Sequence, residues 1–467
     1  MSAFFAIGAS VLAPLGYWAT LAAVNGRRRA GEPPLVRGSL PYLGVAVRFG
    51  RNATAYVQRC QDTHGDVFTL FIAGQRMTFL LDPLAVPAVL RSKQLVFHPV
   101  SDRVLHDAFQ LDGIRTKMNL EAVEALGRSR LRGESLHALT DSMGARLSEL
   151  VPAAASAQWE HGFLYRKIWN LMFEAGTDAL FGSGKVTEQL REDFKIFDVQ
   201  FPLMAAGLPR AIVKDGEAAL HRLANTDLLG ESASDWIRDR QPFLAALDAE
   251  DRGLARVPVL WAIHANTIPA TFWSMYYLLR HPEGLKAVRR ELDALPDPAR
   301  ESLDAETLGE LRVLDSAISE ALRLSSGSLT IREALEDLTL ETPSGAHRMR
   351  KGDRVCIAPF ITHRDPEIFE RPLEYRYDRF YAASGRKQFY KRGQRVPLPL
   401  MPFGAGISMC PGRFFAMNEI KLFIAHVLQH WDIEAHDAPS PDFELSRAGL
   451  GIYPPAHDVP VRIRRKV

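Results

Sequence analysis

Residues 401–428 read MPFGAGISMCPGRFFAMNEIKLFIAHVL, and this stretch decides how the rest of the chain is interpreted. Its first part is a loop punctuated by glycines, of which Gly404 is the first. Cys410 follows, and from Arg413 onwards the sequence turns into a strongly apolar helical pattern. The stretch therefore predicts a tight loop that delivers one cysteine to the start of a helix.

The position of Cys410 favours a thiolate, because the helix dipole and the free N–H groups at a helix start stabilise negative charge. The neighbouring glycines let the backbone approach a flat ligand closely. A single thiolate with no His or Cys nearby in the sequence does not supply the four ligands of a zinc site. It does suit a haem iron, which takes one axial ligand from the protein. A buried, inert cysteine at a loop–helix junction is the alternative on these residues alone.

The spacing Phe403-x-x-Gly406-x-x-x-Cys410-x-Gly412 resembles the haem-binding signature of the cytochrome P450 superfamily, the haem-thiolate monooxygenases. The resemblance implies a haem b cofactor with Cys410 as its axial, iron-binding ligand. It also implies that Phe403 packs beside the sulfur and that Gly404 and Gly412 contact the cofactor. The fold it implies is mainly α with small β-sheets, a single-domain cytochrome P450 fold with an N-terminal transmembrane helix.

Composition and charge place few limits on this interpretation. The chain has 467 residues, 47% of them hydrophobic, and a formal net charge of +2. A large core is therefore expected, and the near-neutral charge gives no reason to expect a nucleic-acid partner. Three scattered cysteines do not form a disulfide framework. No linker, repeat or low-complexity run divides the chain, although its length alone would allow about three domains.

The N-terminal segment differs from the rest of the chain. Residues 3–24 carry no charge and are long enough for a bilayer span, which needs about twenty residues. An arginine cluster follows, and by the positive-inside rule it places the remainder in the cytosol. A cleaved signal peptide is disfavoured because the charge follows the apolar run instead of preceding it. We predict a membrane anchor over residues 1–26, a basic and Pro-rich hinge over 27–37, and a haem-thiolate catalytic domain over 38–467.

Residues 257–280 form a nearly uncharged helical stretch that must be buried on most sides. Pro269 removes a backbone hydrogen bond and predicts a kink near Ala265. In the resembled family this helix crosses the haem and opens at the oxygen site. The resemblance puts Asn266 where most members have an oxygen-handling Thr, with Thr267 beside it as a second catalytic candidate. It puts Ala265 where most members have an acid.

Glu320 and Arg323 lie three apart on a predicted amphipathic helix over residues 305–324, and so they share one face. Such a pair is usually a surface ion pair. The resemblance implies instead that Arg379 joins them in a buried triad, and that this network fixes the haem-side core.

The haem propionates need a partner other than the usual one. Two residues before the cysteine the family generally has Arg or His, whereas this chain has Ser408. A surface charge is the simple interpretation of Arg332, but its place in the family points it at a propionate. We therefore expect Arg332 to bind the cofactor.

Several stretches resemble the branch of the superfamily that contains cholesterol 7α-hydroxylase, sterol 12α-hydroxylase and prostacyclin synthase, among them residues 265–273 and 446–452. The resemblance implies a haem-dependent monooxygenase that hydroxylates a sterol, at the 7α position of a cholesterol-type substrate. It would use O2 and electrons from an NADPH-dependent reductase or a ferredoxin. The alternatives are a haem isomerase of the prostacyclin synthase type, another lipid hydroxylase, and a non-catalytic haem binder.

The expected substrate wall is apolar and rigid, and its candidate residues are Trp261, Ala262, Ala265 and Leu329. For His264, substrate contact and simple packing both stay open. Residues 201–209 are either a buried loop or a second membrane contact. The basic stretch over 386–395 would meet an acidic redox partner in the family. The resemblance implies a single-pass protein of the endoplasmic reticulum in a eukaryote, or of the cytoplasmic membrane in a bacterium.

Overall fold

The computed structural model describes residues 27–40, 42–382, 385–435 and 439–466. Helices dominate, and in chain order they are α1 (Ala46–Arg51), α2 (Ala53–His64), α3 (Val86–Arg91), α4 (His98–Phe109), α5 (Ile114–Lys117), α6 (Leu120–Arg130), α7 (Gly133–Ala153), α8 (Leu164–Phe181), α9 (Glu188–Ala205), α10 (Lys214–Asn225), α11 (Asp235–Ala245), α12 (Ala249–Leu254), α13 (Val257–His264), α14 (Thr267–Arg280), α15 (Pro282–Asp293), α16 (Asp297–Ser302), α17 (Ala305–Glu310), α18 (Arg312–Ser325), α19 (Pro359–Thr362) and α20 (Arg413–His430). Mainly α with small sheets is therefore the observed class, as predicted.

The strands are short and form four small sheets among the described residues. They are β1 (Leu35–Val36), β2 (Val67–Ile72), β3 (Gln75–Leu80), β4 (Leu95–Val96), β5 (Glu160–Phe163), β6 (Thr330–Ala334), β7 (Leu338–Thr342), β8 (Gly345–Met349), β9 (Arg354–Ile357), β10 (Tyr390–Lys391), β11 (Gln394–Arg395), β12 (Trp431–Ala435) and β13 (Pro460–Arg465). The largest sheet has the order β1-β2-β3-β9-β6-β4, and a smaller one has the order β12-β13-β5. The hairpin of β2 and β3 runs in register from Val67 opposite Leu80 to Ile72 opposite Gln75.

Helix α14 is the centre of the fold. Residues 267–276 are all buried, because α14 packs against α8, α18 and α20. A helix with so little polar surface is stable only when neighbours cover most of its sides. The surrounding helices thus fix the part of the chain that the sequence places over a haem.

The predicted hinge over residues 27–37 is fastened to the folded domain. It carries β1, which pairs in parallel with β2, and Glu32, which is only 3% exposed. The Glu32 carboxylate binds Arg76 at 3.0 Å and Arg350 at 2.5 Å. Arg76 also binds Asp353 at 3.0 Å. Because these charges are buried and paired, the segment is held in one position.

The predicted anchor over residues 1–26 lies outside the described residues. Within the part of the chain that the structure describes, no helix has both the length and the apolar character needed to cross a bilayer. Residues 201–205 are the last turn of α9 and not a loop, with Phe201 and Met204 buried and Leu203 exposed.

The amphipathic helix predicted over residues 305–324 is in fact two helices, α17 and α18. The chain turns at Leu311, where the dihedrals are not helical. The side chain of Glu291 accepts hydrogen bonds from the N–H groups of Val313 and Leu314 at 2.7 and 2.9 Å. These bonds satisfy free N–H groups at the start of α18, and they allow a new helix to begin there.

Glu320, Arg323 and Arg379 meet in a fully buried network. Glu320 accepts from Arg323 Nε at 2.7 Å and from Arg379 Nε at 2.8 Å. Arg323 also donates to the carbonyl of His363, and His363 Nε2 accepts from the N–H of Met401 at 3.1 Å. Burial lowers the pKa of His363 to about 3, so the ring stays a neutral acceptor. The network therefore reaches the first residue of the cysteine loop.

We predict that Glu320→Gln destabilises the protein strongly. The change leaves two buried guanidinium groups without their counter-charge, and breaking such a buried pair costs about 3–5 kcal/mol. The urea midpoint, followed by far-UV circular dichroism, and the haem content after purification should both fall. Glu374→Gln is the matched control, because the Glu374 side chain is 60% exposed. Equal behaviour of the two variants would contradict the role of the triad.

Candidate active site

The loop before α20 presents the cysteine through its glycines. Gly404 and Gly406 have φ values of +71° and +73°, a left-handed conformation that favours glycine. The N–H of Cys410 donates to the carbonyl of Phe403 at 3.0 Å and closes the loop. Helix α20 begins at Arg413, with Gly412 as its N-cap. Cys410 therefore lies just before the helix start, as predicted.

The electrostatics of Cys410 differ in one respect from the expectation. Cys410 is exposed, yet desolvation by the surrounding protein raises the pKa of its thiol, while the N–H groups of Gly412 and Arg413 and the charge of Arg413 act in the opposite direction. The helix start therefore favours a thiolate, although the net shift of the pKa is upwards. Binding to a cationic metal centre deprotonates a coordinating thiol outright.

A cavity of about 320 Å³ lies beside the junction of α13 and α14 and the first turns of α20. Four parts of the chain line it. They are α13 and α14 with their junction, the start of β6 with the segment before it, the cysteine loop with α20, and the loop over residues 449–452. The main contributors are Ala262, Ile263, Asn266, Thr267, Ala270, Ser328, Leu329, Thr330, Phe403, Gly404, Cys410, Gly412, Phe415, Ala416, Glu419, Gly449, Leu450, Gly451 and Ile452. Most of these residues are apolar or small, which is typical of a pocket for an organic cofactor and an apolar ligand.

The central helix is interrupted at the cavity. Helix α13 ends at His264 and α14 begins at Thr267. Pro269 has no N–H, so the carbonyl of Ala265 cannot receive the usual hydrogen bond from four residues ahead. The predicted kink is thus present, and it brings Asn266 and Thr267 to the cavity wall.

Asn266 ties the interrupted helix to the C-terminal loop. Its Oδ1 accepts from the N–H of Ile452 at 2.9 Å, and that partner identifies the atom as the oxygen because an N–H can only donate. A Cβ on Gly451 would lie 2.1 Å from the same Oδ1, and Gly451 has φ +142°. Glycine is therefore required beside Asn266. With Oδ1 engaged, the Nδ2 group remains as a donor that has no partner among the described residues.

The residues beside the cysteine loop fit a haem. Arg332 is 5% exposed and donates to the carbonyl of Ala405 at 3.0 Å, yet no acidic side chain pairs with it in the described ranges. Thr330 shares its face of β6 and has a buried Oγ1 without a hydrogen-bond partner among the described residues. A buried cation and an unsatisfied hydroxyl next to an apolar slot suit an anionic edge of a flat cofactor.

The structure brings most of the predicted site residues together. Ala262, Leu329, Asn266, Thr267, Phe403, Gly404, Cys410 and Gly412 all line the cavity. Trp261, Ala265 and Arg332 are not among its lining residues. The Trp261 indole stacks on Phe201 at 4.0 Å and donates to Asp198 at 2.8 Å, so it faces α9 instead.

His264 packs in the core instead of facing the cavity. Its ring lies 4.4 Å from Phe173, and Nε2 is 2.9 Å from Thr177 Oγ1. Burial, aided by the charge of Arg191, lowers the pKa of His264 to about 3. The imidazole therefore stays neutral in the folded protein.

Glu419 is a cavity residue that was not predicted from the sequence. It is 2% exposed, and burial raises its pKa well above the usual value, so the protonated form is favoured. It shares a helix face with Phe415, Ala416 and Ile420, which also line the cavity. The sequence does contain a signal for Glu419, since it is a single acid on an otherwise apolar helix face.

His264 also generates a prediction for acid stability. Between pH 6.5 and about 3, unfolded chains bind a proton on this residue that the folded protein does not, so folding stability falls as pH falls. At pH 5.5 the loss from one such group is about 1.4 kcal/mol. His264→Gln should shrink the stability difference between pH 7.5 and 5.5 by that amount, measured by urea denaturation.

The exposed His457 provides the control for this test. The pH difference should be smaller in His264→Gln than in His457→Gln. It should not vanish in either variant, because burial also lowers the pKa values of His347, His363, His426 and His430. An unchanged difference in His264→Gln would show that the imidazole is protonated in the folded state.

Comparison with known proteins agrees with this geometry. Residues 248–461 match the family model described as Cytochrome P450. Cytochrome P450 7A1 of Rattus norvegicus is 35% identical over 94% of this chain and 95% of its own length. Cholesterol 7-alpha-monooxygenase of Cricetulus griseus is 34% identical over 94% and 95% of the two chains. The 7-alpha-hydroxycholest-4-en-3-one 12-alpha-hydroxylase of Homo sapiens is 33% identical over 98% of both.

These relatives extend over nearly the whole chain, and the cysteine loop has the form that a haem-thiolate site requires. The family cofactor is haem with a cysteine thiolate as axial ligand. The chain belongs to the cytochrome P450 family of haem-thiolate monooxygenases.

Proposed function

We propose that this chain is a sterol hydroxylase that oxidises a cholesterol-type substrate at the 7α position. The observation that carries the proposal is the similarity, over more than nine tenths of the chain, to proteins named as hydroxylases of cholesterol and of a 7α-hydroxylated cholestenone. The relatives differ in the carbon that their names specify, so the 7α assignment is the finer part of the proposal.

The cavity chemistry supports a neutral, bulky substrate. Its apolar wall contains small residues, Ala262, Ala270, Gly449 and Gly451, that leave room for a rigid ring system. No Lys or Arg is present among the described residues that line it. With Arg332 beside the cavity assigned to the cofactor, a fatty-acid carboxylate would have no cation to bind there, whereas a sterol gains from apolar contact, worth about 25 cal/mol per buried Å².

Each protein group near the cofactor has a proposed role. Haem, when bound, supplies the activation of O2, and the protein supplies position, dryness and protons. Cys410 is the axial ligand, and Arg332 binds a propionate. Asn266 provides its Nδ2 donors at the oxygen site. Thr267 provides its hydroxyl at the same site. Glu320, through its triad, keeps the cysteine loop in place.

The partners follow from the same proposal. Residues 1–26 form a single-pass anchor, and residues 38–467 form the cytosolic catalytic domain, with the fastened segment 27–37 between them. Electrons come from an NADPH-dependent reductase or a ferredoxin. The membrane is that of the endoplasmic reticulum in a eukaryote or the cytoplasmic membrane in a bacterium, where a sterol reaches the enzyme without crossing water.

A sterol titration tests the proposed substrate class. Cholesterol, added to the purified ferric protein, should shift the haem towards high spin as a ligand displaces water beside the iron. Reconstitution with reductase and NADPH should then give a 7α-hydroxysterol, identified by mass spectrometry against standards. Cys410→Ser is the control and should lose both the shift and the red-shifted Soret band of the reduced carbonyl complex.

Three other results would change the proposed function. A spin shift with an endoperoxide but not with sterols, and turnover without NADPH, would favour the isomerase of the prostacyclin synthase type. A 12α product would keep the sterol class and overturn the 7α position. A response to fatty acids alone would replace the sterol with another lipid.

The roles of Oδ1 and Nδ2 of Asn266 can be tested separately by two substitutions. Asn266→Asp keeps an oxygen for the Ile452 N–H but loses the Nδ2 donors, while Asn266→Ala loses both. We expect both variants to release severalfold more hydrogen peroxide per NADPH consumed, because a donor at the oxygen site is missing. Only Asn266→Ala should also weaken the sterol-induced spin shift, because the cavity wall over Gly449–Ile452 then loses the hydrogen bond between the Ile452 N–H and Asn266 Oδ1. An unchanged coupling ratio in Asn266→Asp would transfer the oxygen-handling role to Thr267.

A further inference from the structure

A second cavity, of about 690 Å³, lies outside the candidate active site. It is formed between the start of α8, the outer face of α9 and the loop over residues 444–458. Its wall combines apolar and polar side chains, among them Tyr165, Trp169, Val199, Leu203, Arg447 and Pro454. Val199 is 75% exposed and Leu203 43% exposed, so the apolar side is open to the surroundings.

Three cations line this cavity, and Arg447 is the buried one, whereas Arg166 is exposed and Lys195 is half-buried. Arg447 is only 4% exposed, and its Nη1 donates to Asp198 at 2.7 Å. Its Nε and Nη2 are buried and have no hydrogen-bond partner in the described part of the chain. These two nitrogens form one edge of the guanidinium, the edge that binds a carboxylate through two parallel hydrogen bonds.

The three acids that line the cavity are engaged elsewhere, and the exposed Glu444 accepts from the N–H of Ser446 at 3.0 Å. Asp198 accepts from Trp261 and from Nη1 of Arg447, on the other side of the guanidinium. Asp458 accepts from the N–H groups of Tyr165 and Arg166 at the start of α8. The Nε–Nη2 edge of Arg447 is therefore a donor pair without a partner among the described residues, and it belongs to a residue that lines the cavity together with apolar side chains.

We propose that this second cavity binds an amphiphile with a carboxylate head and an apolar body. The carboxylate binds the Nε–Nη2 edge of Arg447, and the apolar body lies along Trp169, Val199 and Leu203. The site is separate from the haem cavity and from the proposed sterol substrate, and it does not depend on that proposal.

Binding of decanoate to the full-length ferric protein tests the site. The protein is placed in phosphatidylcholine nanodiscs, imidazole saturates the iron, and decanoate is titrated by calorimetry, with empty nanodiscs as the blank. We expect one decanoate per chain and no change in the Soret band. Methyl decanoate, which has the same chain but no charge, should bind at least tenfold more weakly.

Two variants test separately the contact with the carboxylate head and the contact with the apolar body of the ligand. Arg447→Lys keeps a cation for Asp198 but removes the two-donor edge, and it should weaken decanoate binding at least tenfold. Val199→Trp fills the apolar side and should do the same. Ile196→Trp, three residues earlier on the exposed face of α9 but outside the cavity wall, is the matched control and should bind decanoate normally.

The reduced carbonyl spectrum of each variant checks that it is folded, and if Arg447→Lys fails this check, Val199→Trp and methyl decanoate still test the site. Equal binding of decanoate to wild type and a folded Arg447→Lys would overturn the proposal. Equal binding of the methyl ester would do so too, because the cavity would then be a merely apolar surface. Several decanoates per chain that Val199→Trp does not displace would indicate partitioning into the bilayer and would also overturn it.

Discussion

The buried carboxylate of Glu320 is the interaction on which the haem side of this protein depends. It binds two guanidinium groups and the N–H of Arg376 at once. Arg323 and Arg379 then donate to backbone carbonyls between residues 363 and 374, which belong to a segment with little regular structure. Since a buried charge is very costly without its partners, these contacts form together or not at all. The cysteine loop receives its position through this segment.

The features of the site that follow from local chemistry were predictable from the sequence. Glycines with left-handed dihedrals form the loop before Cys410, and Pro269 interrupts the helix beside Ala265, and both effects are properties of single residues. The triad was predictable from a resemblance and not from its residues, because two charges three apart are usually a surface pair.

Features that depend on tertiary packing were not predictable. A nearly uncharged helix has no polar face to show which side meets the cavity, so the sequence could not separate Ala262, which lines the cavity, from Trp261, whose indole packs on Phe201. The bond between Asn266 and Ile452 joins residues that are 186 positions apart, and no local pattern indicates it. The second cavity likewise arises from three segments that are distant in the sequence, and the free edge of Arg447 becomes visible only when its neighbours are placed.

The buried ion pairs of Glu32 fix the point at which the chain leaves the folded domain. Residues 27–31 lie against the same site, because the N–H of Arg29 donates to Glu32 Oε2 at 2.8 Å and the carbonyl of Arg27 accepts from Arg76 at 3.4 Å and from Arg350. The first described residues are therefore part of the folded domain and not a flexible linker. A force applied to the chain before residue 27 would act first on these ion pairs and on β1, at the edge of the largest sheet, before it reached the helices.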